Sequence, residues 1–195
     1  MRTSLATVAL VIFGDILTAG MPAQSVSPDP QAWGSEVSGL RMGIAAVGLT
    51  NAEAGTVFEV SLHNAGAQDF VVNLGLMIAN GKTMFPHAVR LTLSDSAGTR
   101  KLEYGGQNPI RAGRIDDYVV ALRGGSKYTL RVSLDHYFSP ATKEYRLKLQ
   151  PGRYRVAAQF EGKGAITNNA DMRGVSLLNF WKGSLQSGAA EFDVR

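Results

Sequence analysis

The chain contains no cysteine. This excludes a disulfide-stapled scaffold, thiolate metal sites, a cysteine nucleophile and lipidation of an N-terminal cysteine. There is also no apolar run long enough to cross a bilayer as a helix, because the longest one, near the N-terminus, is interrupted by Asp15. No Asn-x-Ser/Thr triplet occurs, so the chain offers no N-glycosylation acceptor. The G-x-S-x-G, H-E-x-x-H, P-loop and G-x-G-x-x-G patterns are all missing, which removes the motif-bearing hydrolases, zinc proteases and nucleotide binders. No repeat with a period of roughly 20 to 50 residues is visible, which argues against a propeller or solenoid. Charge is sparse and nearly balanced: 20 Lys and Arg against 16 Asp and Glu leave a net +4. That is too little charge for a nucleic-acid binder unless it is gathered on one face.

What the chain does have is a core. Of 195 residues, 45% are hydrophobic, enough for one globular domain without staples. Its 22 glycines against 7 prolines give a turn-rich composition, more β than helical.

Residues 1–25 have the layout of a secretory signal peptide. Arg2 precedes the apolar run Leu5 to Phe13, and Ala23-Gln24-Ser25 places small side chains before a cut at Val26, with a cut after Gly20 as the alternative. Residues 26–36 are rich in Pro and Ser and read as a flexible lead-in. Residues 37–195 then form one domain, expected to be secreted or periplasmic and to carry no membrane span after signal removal.

Period-2 alternation dominates that domain. In TVFEVSLHN, Phe58, Val60 and Leu62 fall on one face and Glu59, Ser61 and His63 on the other. Further strands are expected at 40–44, 69–74, 89–95, 99–104, 117–122, 127–134, 144–149, 153–160 and 189–194. Asn80-Gly81 supplies the positive φ values of a type I′ turn, pairing 76–79 with 82–85 and so Met77 with Met84. The best helical segment, 171–181, is interrupted by Gly174. The pattern predicts an all-β, antiparallel sandwich.

LQPGRYRV (149–156) carries the most specific fold signal. Pro151-Gly152 makes a turn, and Tyr154 opens the strand after it. Together with LRGGSKYTLRVSL (122–134), the stretch resembles the E-to-F region of immunoglobulin-like modules in secreted bacterial proteins. The resemblance is strongest over 122–161. It implies an immunoglobulin-like sandwich of about 8–10 strands in which Tyr154 is a tyrosine corner, its hydroxyl bonded to backbone upstream. It also implies that the strands before and after LQPG lie in different sheets, with Arg153 and Arg155 on an outward face. Arg146 and Lys148 before the turn and Arg153 and Arg155 after it would then be two small basic pairs on opposite sides, which make no groove for nucleic acid. Such modules ride beside secreted hydrolases, and one group inhibits proteinases, so no catalytic residue transfers from the family.

The remaining chemistry is thin. His63, His87 and His136 lack metal-ligand spacing, and no cofactor is expected. Asp116-Asp117 are adjacent, the wrong geometry for a glycosidase pair, and read as a cap with Arg111 and Arg114 near for pairing. Met77 and Met84 would share a face, but two thioethers make a weak Cu(I) site and fill a core gap more readily. Trp181 is expected in the core or in edge packing. The best contact segment is the loop 162–175, with Lys163, Asn168, Asn169, Asp171 and Arg173 as its polar residues. The expected function is non-catalytic: an exported binding or envelope-associated accessory protein whose partner is a protein or a polysaccharide. A proteinase inhibitor of similar build, or a carbohydrate-binding module with a surface row of Trp and Tyr, are the alternatives.

Overall fold

The computed structural model describes residues 30–47, 55–78, 83–105, 113–145, 147–166, 174 and 178–195. The signal segment 1–25, the Asn80-Gly81 turn, Arg111, Arg146 and the loop residues Asn168, Asn169, Asp171 and Arg173 lie outside them. Among the described residues the chain is all-β, and its strand pairs are antiparallel.

The strands, in chain order, are β1 (Ala32–Trp33), β2 (Leu40–Val47), β3 (Val57–Asn64), β4 (Phe70–Ile78), β5 (Thr83–Phe85), β6 (Val89–Asp95) and β7 (Gly98–Tyr104). They continue with β8 (Ile115–Leu122), β9 (Lys127–Ser133), β10 (Tyr137–Ser139), β11 (Glu144–Tyr145), β12 (Gly152–Gly162), β13 (Gly183–Gln186) and β14 (Ala190–Val194). A 3-10 turn, Leu134–His136, joins β9 to β10. One sheet has the order β1-β2-β3-β9; a second runs β11-β10-β7-β6-β12-β13 with β14 also on β12; a third is β5-β4-β8. The first two stack as a sandwich, with β2 against β12, β13 and β14.

Alternation explains why these strands bury what they bury. Leu40, Met42 and Ile44 of β2 and Phe58, Val60 and Leu62 of β3 point inward, as do Val156, Ala158 and Phe160 of β12. Rings lock the layers: Phe58 meets Phe192 edge-on at 5.4 Å, and Phe160 stacks on Trp181 at 5.9 Å. Trp181 is buried, and its indole N–H donates to the Ser38 carbonyl at 3.2 Å.

Several boundaries differ from the pattern. Ala32–Trp33, within the stretch that composition marks as a lead-in, pair with Ile44 and Gly43 of β2. That part of the lead-in is held in the sheet, its indole stacked against the Arg41 guanidinium at 4.6 Å. The expected strands 69–74 and 76–79 are one strand, β4. Its register slips between Asn73 and Gly75, and this bulge is what breaks the alternation. The expected strand 144–149 shrinks to Glu144–Tyr145, which sits at the far edge of the same sheet as β12 rather than in another. The segment beyond it, from Leu147 to Pro151, runs outside any strand, so Pro151-Gly152 is an approach to β12 rather than a tight hairpin.

Candidate functional site

Asn73 interrupts the apolar run of β4 and is completely buried. Its position follows from the bulge. Gly75 adopts φ +141°, and a Cβ there would collide with the Phe85 carbonyl oxygen, so only glycine fits. The Gly75 N–H donates to Asn73 Oδ1 at 3.0 Å, closing the bulge on itself. The Asn73 amide then donates to Asp117 Oδ1 at 2.9 Å and to the Gly164 carbonyl at 3.0 Å. Asp117 Oδ1 also accepts the Ile166 N–H at 2.8 Å. Asn73 and Asp117, on adjacent strands, thus clamp residues 164–166 onto the face of the β4–β8 sheet opposite the core. The far end of the same connection is tied to β4 as well. Val71 N–H donates to Asn179 O at 2.9 Å, and Trp181 N–H donates to Val71 O at 2.9 Å.

Beside the clamp lies a cleft of about 300 Å³. Gly75, Leu76, Ala88 and Ile166 give it an apolar lining, and His87, Arg90, Glu161 and Lys163 give it polar groups. These charges compensate one another. Arg90 lies 3.6 Å from both Glu103 and Glu161, and Lys163 lies 3.5 Å from Glu161. Ile166 is half exposed, at 54%. A cleft with an apolar base and a few fixed polar groups is the usual form of a recognition site.

The other residues singled out by sequence fall elsewhere. Tyr154 is buried and stacks on Phe192 at 5.5 Å, and its hydroxyl donates to the Gln150 carbonyl at 2.9 Å. Arg153 and Arg155 point outward, where both meet Glu191 of β14, at 2.5 and 3.7 Å. One carboxylate therefore serves two guanidinium groups, leaving no bare basic patch at Arg-Tyr-Arg. Asp116 and Asp117 lie within β8 rather than ahead of it, so they do not cap a loop; both are buried, and they face opposite sides of the strand. Asp116 accepts two bonds from Arg114 Nε, at 2.8 and 3.0 Å. Met77 pairs with Met84 across β4 and β5. His87 turns away from them, stacking on Phe85 at 5.8 Å and bonding the Tyr104 carbonyl through Nδ1 at 3.2 Å. Met84 is half exposed at 48%, so it fills no core gap. Among the described residues no three His, Asp or Glu side chains are grouped to hold a metal ion, and no helix is long and apolar enough to cross a membrane.

Two tyrosines have displaced acidities. Burial, reinforced by the hydrogen bond with Tyr128, pushes the Tyr118 hydroxyl well above the usual tyrosine range. Burial does the same to Tyr137, whose hydroxyl donates to the Val89 carbonyl.

Sequence reasoning misses the Asn73–Asp117 clamp. The one signal for it is an Asn inside an apolar strand, two residues before a Gly, opposite a strand that opens on two aspartates. No protein-family model matches the chain, and no curated protein is similar to it.

Proposed function

We propose that the chain is an exported, non-catalytic β-sandwich of immunoglobulin-like build that works by binding, with the cleft beside residues 163–166 as its contact site. The observation that carries this reading is the clamp. Burying a carboxylate and a carboxamide to fix residues 164–166 is costly unless their shape matters. It yields a preorganised rim, which is what recognition by a loop on a sheet scaffold requires. The Tyr154–Gln150 bond supports the immunoglobulin-like assignment, since it joins the hydroxyl to backbone a few residues upstream. The signal-like segment supports export. The engagement of Asp116 and Asp117 in separate structural bonds supports a binding role over acid-base chemistry.

The test places a photo-crosslinking residue at position 166 in the full chain, expressed in a bacterium with fractionation of the cells. The expected result is a processed, exported protein that forms a discrete adduct from position 166. The same probe at position 153, on the Glu191-paired side, should form none. Retention of the unprocessed chain in the cytoplasm, or equal labelling from both positions, would overturn the proposal.

A further inference from the structure

The outer face of the second sheet carries a single straight row of side chains contributed by six strands. Tyr145 of β11 pairs with Phe138 of β10, and Phe138 pairs with Glu103 of β7. Leu91 of β6 pairs with Leu102 of β7, which sets Arg90 opposite Glu103, and Arg90 pairs with Gln159 of β12. Gln159 pairs in turn with Gln186 of β13. Directly opposed residues share a face, so these six side chains stand in line on the surface away from the core. We propose that this row is a binding strip for a neutral polysaccharide, whose extended chain of pyranose rings lies across the strands. The strip deepens the binding reading above, on which it rests, and it adjoins the cleft through Arg90.

Three observations lead to that ligand. The first is the aromatic end of the row. Phe138 and Tyr145 are stacked at 5.1 Å with their planes only 12° apart, and Tyr145 is 50% exposed. Phe138 lies over Gly105, where any Cβ would come within 3.0 Å of its ring, so the glycine leaves the ring room to rest on the backbone. A partly exposed, pre-stacked aromatic surface is a platform for the C–H face of a sugar ring, and its geometry is set before anything binds.

The second is the polar remainder of the row: a carboxylate, a guanidinium and two carboxamides. Such groups satisfy vicinal hydroxyls by donating and accepting in pairs. The inter-strand step of about 4.8 Å is close to the length of one pyranose unit along an extended chain, and the five steps of the row span about 24 Å.

The third is charge. Arg90 and Lys163 are set against Glu103 and Glu161, two cations against two carboxylates, within 3.6 Å contacts. A face neutralised in this way does not draw a polyanion. Nor does it present the apolar centre of a protein interface, because its rings stand at one end and its middle is charged and amidic. A neutral, hydroxyl-rich strand fits both conditions. Trp181 cannot serve as the platform, because it is 2% exposed.

The test is co-sedimentation of the purified protein with particles of regenerated cellulose, insoluble xylan and chitin, with pectate beads as the charged probe. The expected result is saturable binding to at least one neutral polymer. Tyr145→Ala should weaken it about tenfold, the loss typical of a truncated aromatic anchor, while leaving the melting temperature within a degree or two of wild type. Gln186→Ala should weaken it less, and Arg153→Ala, six residues along β12 from Gln159, should leave it unchanged. No binding to any neutral polymer, binding to pectate alone, or binding indifferent to Tyr145→Ala would overturn the strip. Loss of binding in Ile166→Ala but not in Tyr145→Ala would overturn the strip while leaving the cleft reading intact.

Discussion

The Tyr154 and Asn73–Asp117 anchors both hold irregular chain onto the sheets with buried polar groups, and they differ in kind. At the start of β12, one neutral hydroxyl reaches back to one carbonyl: Tyr154 to Gln150, four positions away. On the β4–β8 sheet, a carboxylate and a carboxamide hold Gly164 and Ile166 in bonds that join residues 44, 49 and 91 positions apart. The first secures the approach to a strand. The second fixes the beginning of a long connection beside a cleft. The contrast teaches that burial of polar atoms serves two ends here, once in folding the sandwich and once in presenting a surface.

Substitutions can break that contrast. The largest loss is expected for Asp117→Ala, which leaves the Ile166 N–H without its acceptor and the Asn73 amide half satisfied. About 3 kcal/mol of unfolding free energy should disappear, in keeping with lost hydrogen bonds to a charged group, as read from urea titration. Tyr154→Phe should cost about 1 kcal/mol, one neutral bond, with the aromatic packing on Phe192 retained. An equal cost for the two would erase the distinction between the anchors.

A third test uses acidity. The Tyr118 hydroxyl titrates higher in the folded than in the unfolded chain, so the folded state holds its proton when the unfolded state has released it. Its contribution is therefore complete below about pH 10, the ordinary tyrosine value, and declines as pH rises beyond it. Tyr118→Phe should make stability fall less steeply with pH above that point, and stability curves at several alkaline pH values would show it. Unchanged steepness would mean that the hydroxyl is not held as the Tyr128 contact indicates. The smallest effect is expected at Arg153→Ala. Its pairing with Glu191 is largely solvated, the arginine side chain being 73% exposed, so the change should stay within about 0.5 kcal/mol and shrink further in salt.

The two anchors also show which parts of the molecule are legible in sequence. Strand alternation is local, and β3, β6, β7, β9, β12 and β14 fall within a residue or two of where the hydrophobic pattern puts them. The Tyr154 bond is equally local, since turn, tyrosine and acceptor lie within one short stretch. The β4 bulge is not legible, because Leu74 continues the apolar run whether or not it slips the register. Asn73 and Asp117 are not legible as partners, because only the pairing of β4 with β8 brings them together. The six-strand row is hidden for the same reason. Its members come from six segments, and none of them stands out alone: Phe138 and Tyr145 lie in two short strands at one end of the sheet that the pattern either misses or draws too long.

The most direct measurement is amide hydrogen exchange at Ile166. If Asp117 clamps this residue, its N–H should exchange slowly in the wild-type protein, at rates like those of neighbouring sheet amides, and become fast in Asp117→Ala while the β12 amides around Tyr154 stay protected. Fast exchange at Ile166 in the wild-type protein would contradict the clamp, and with it the claim that the rim of the cleft is fixed before anything binds.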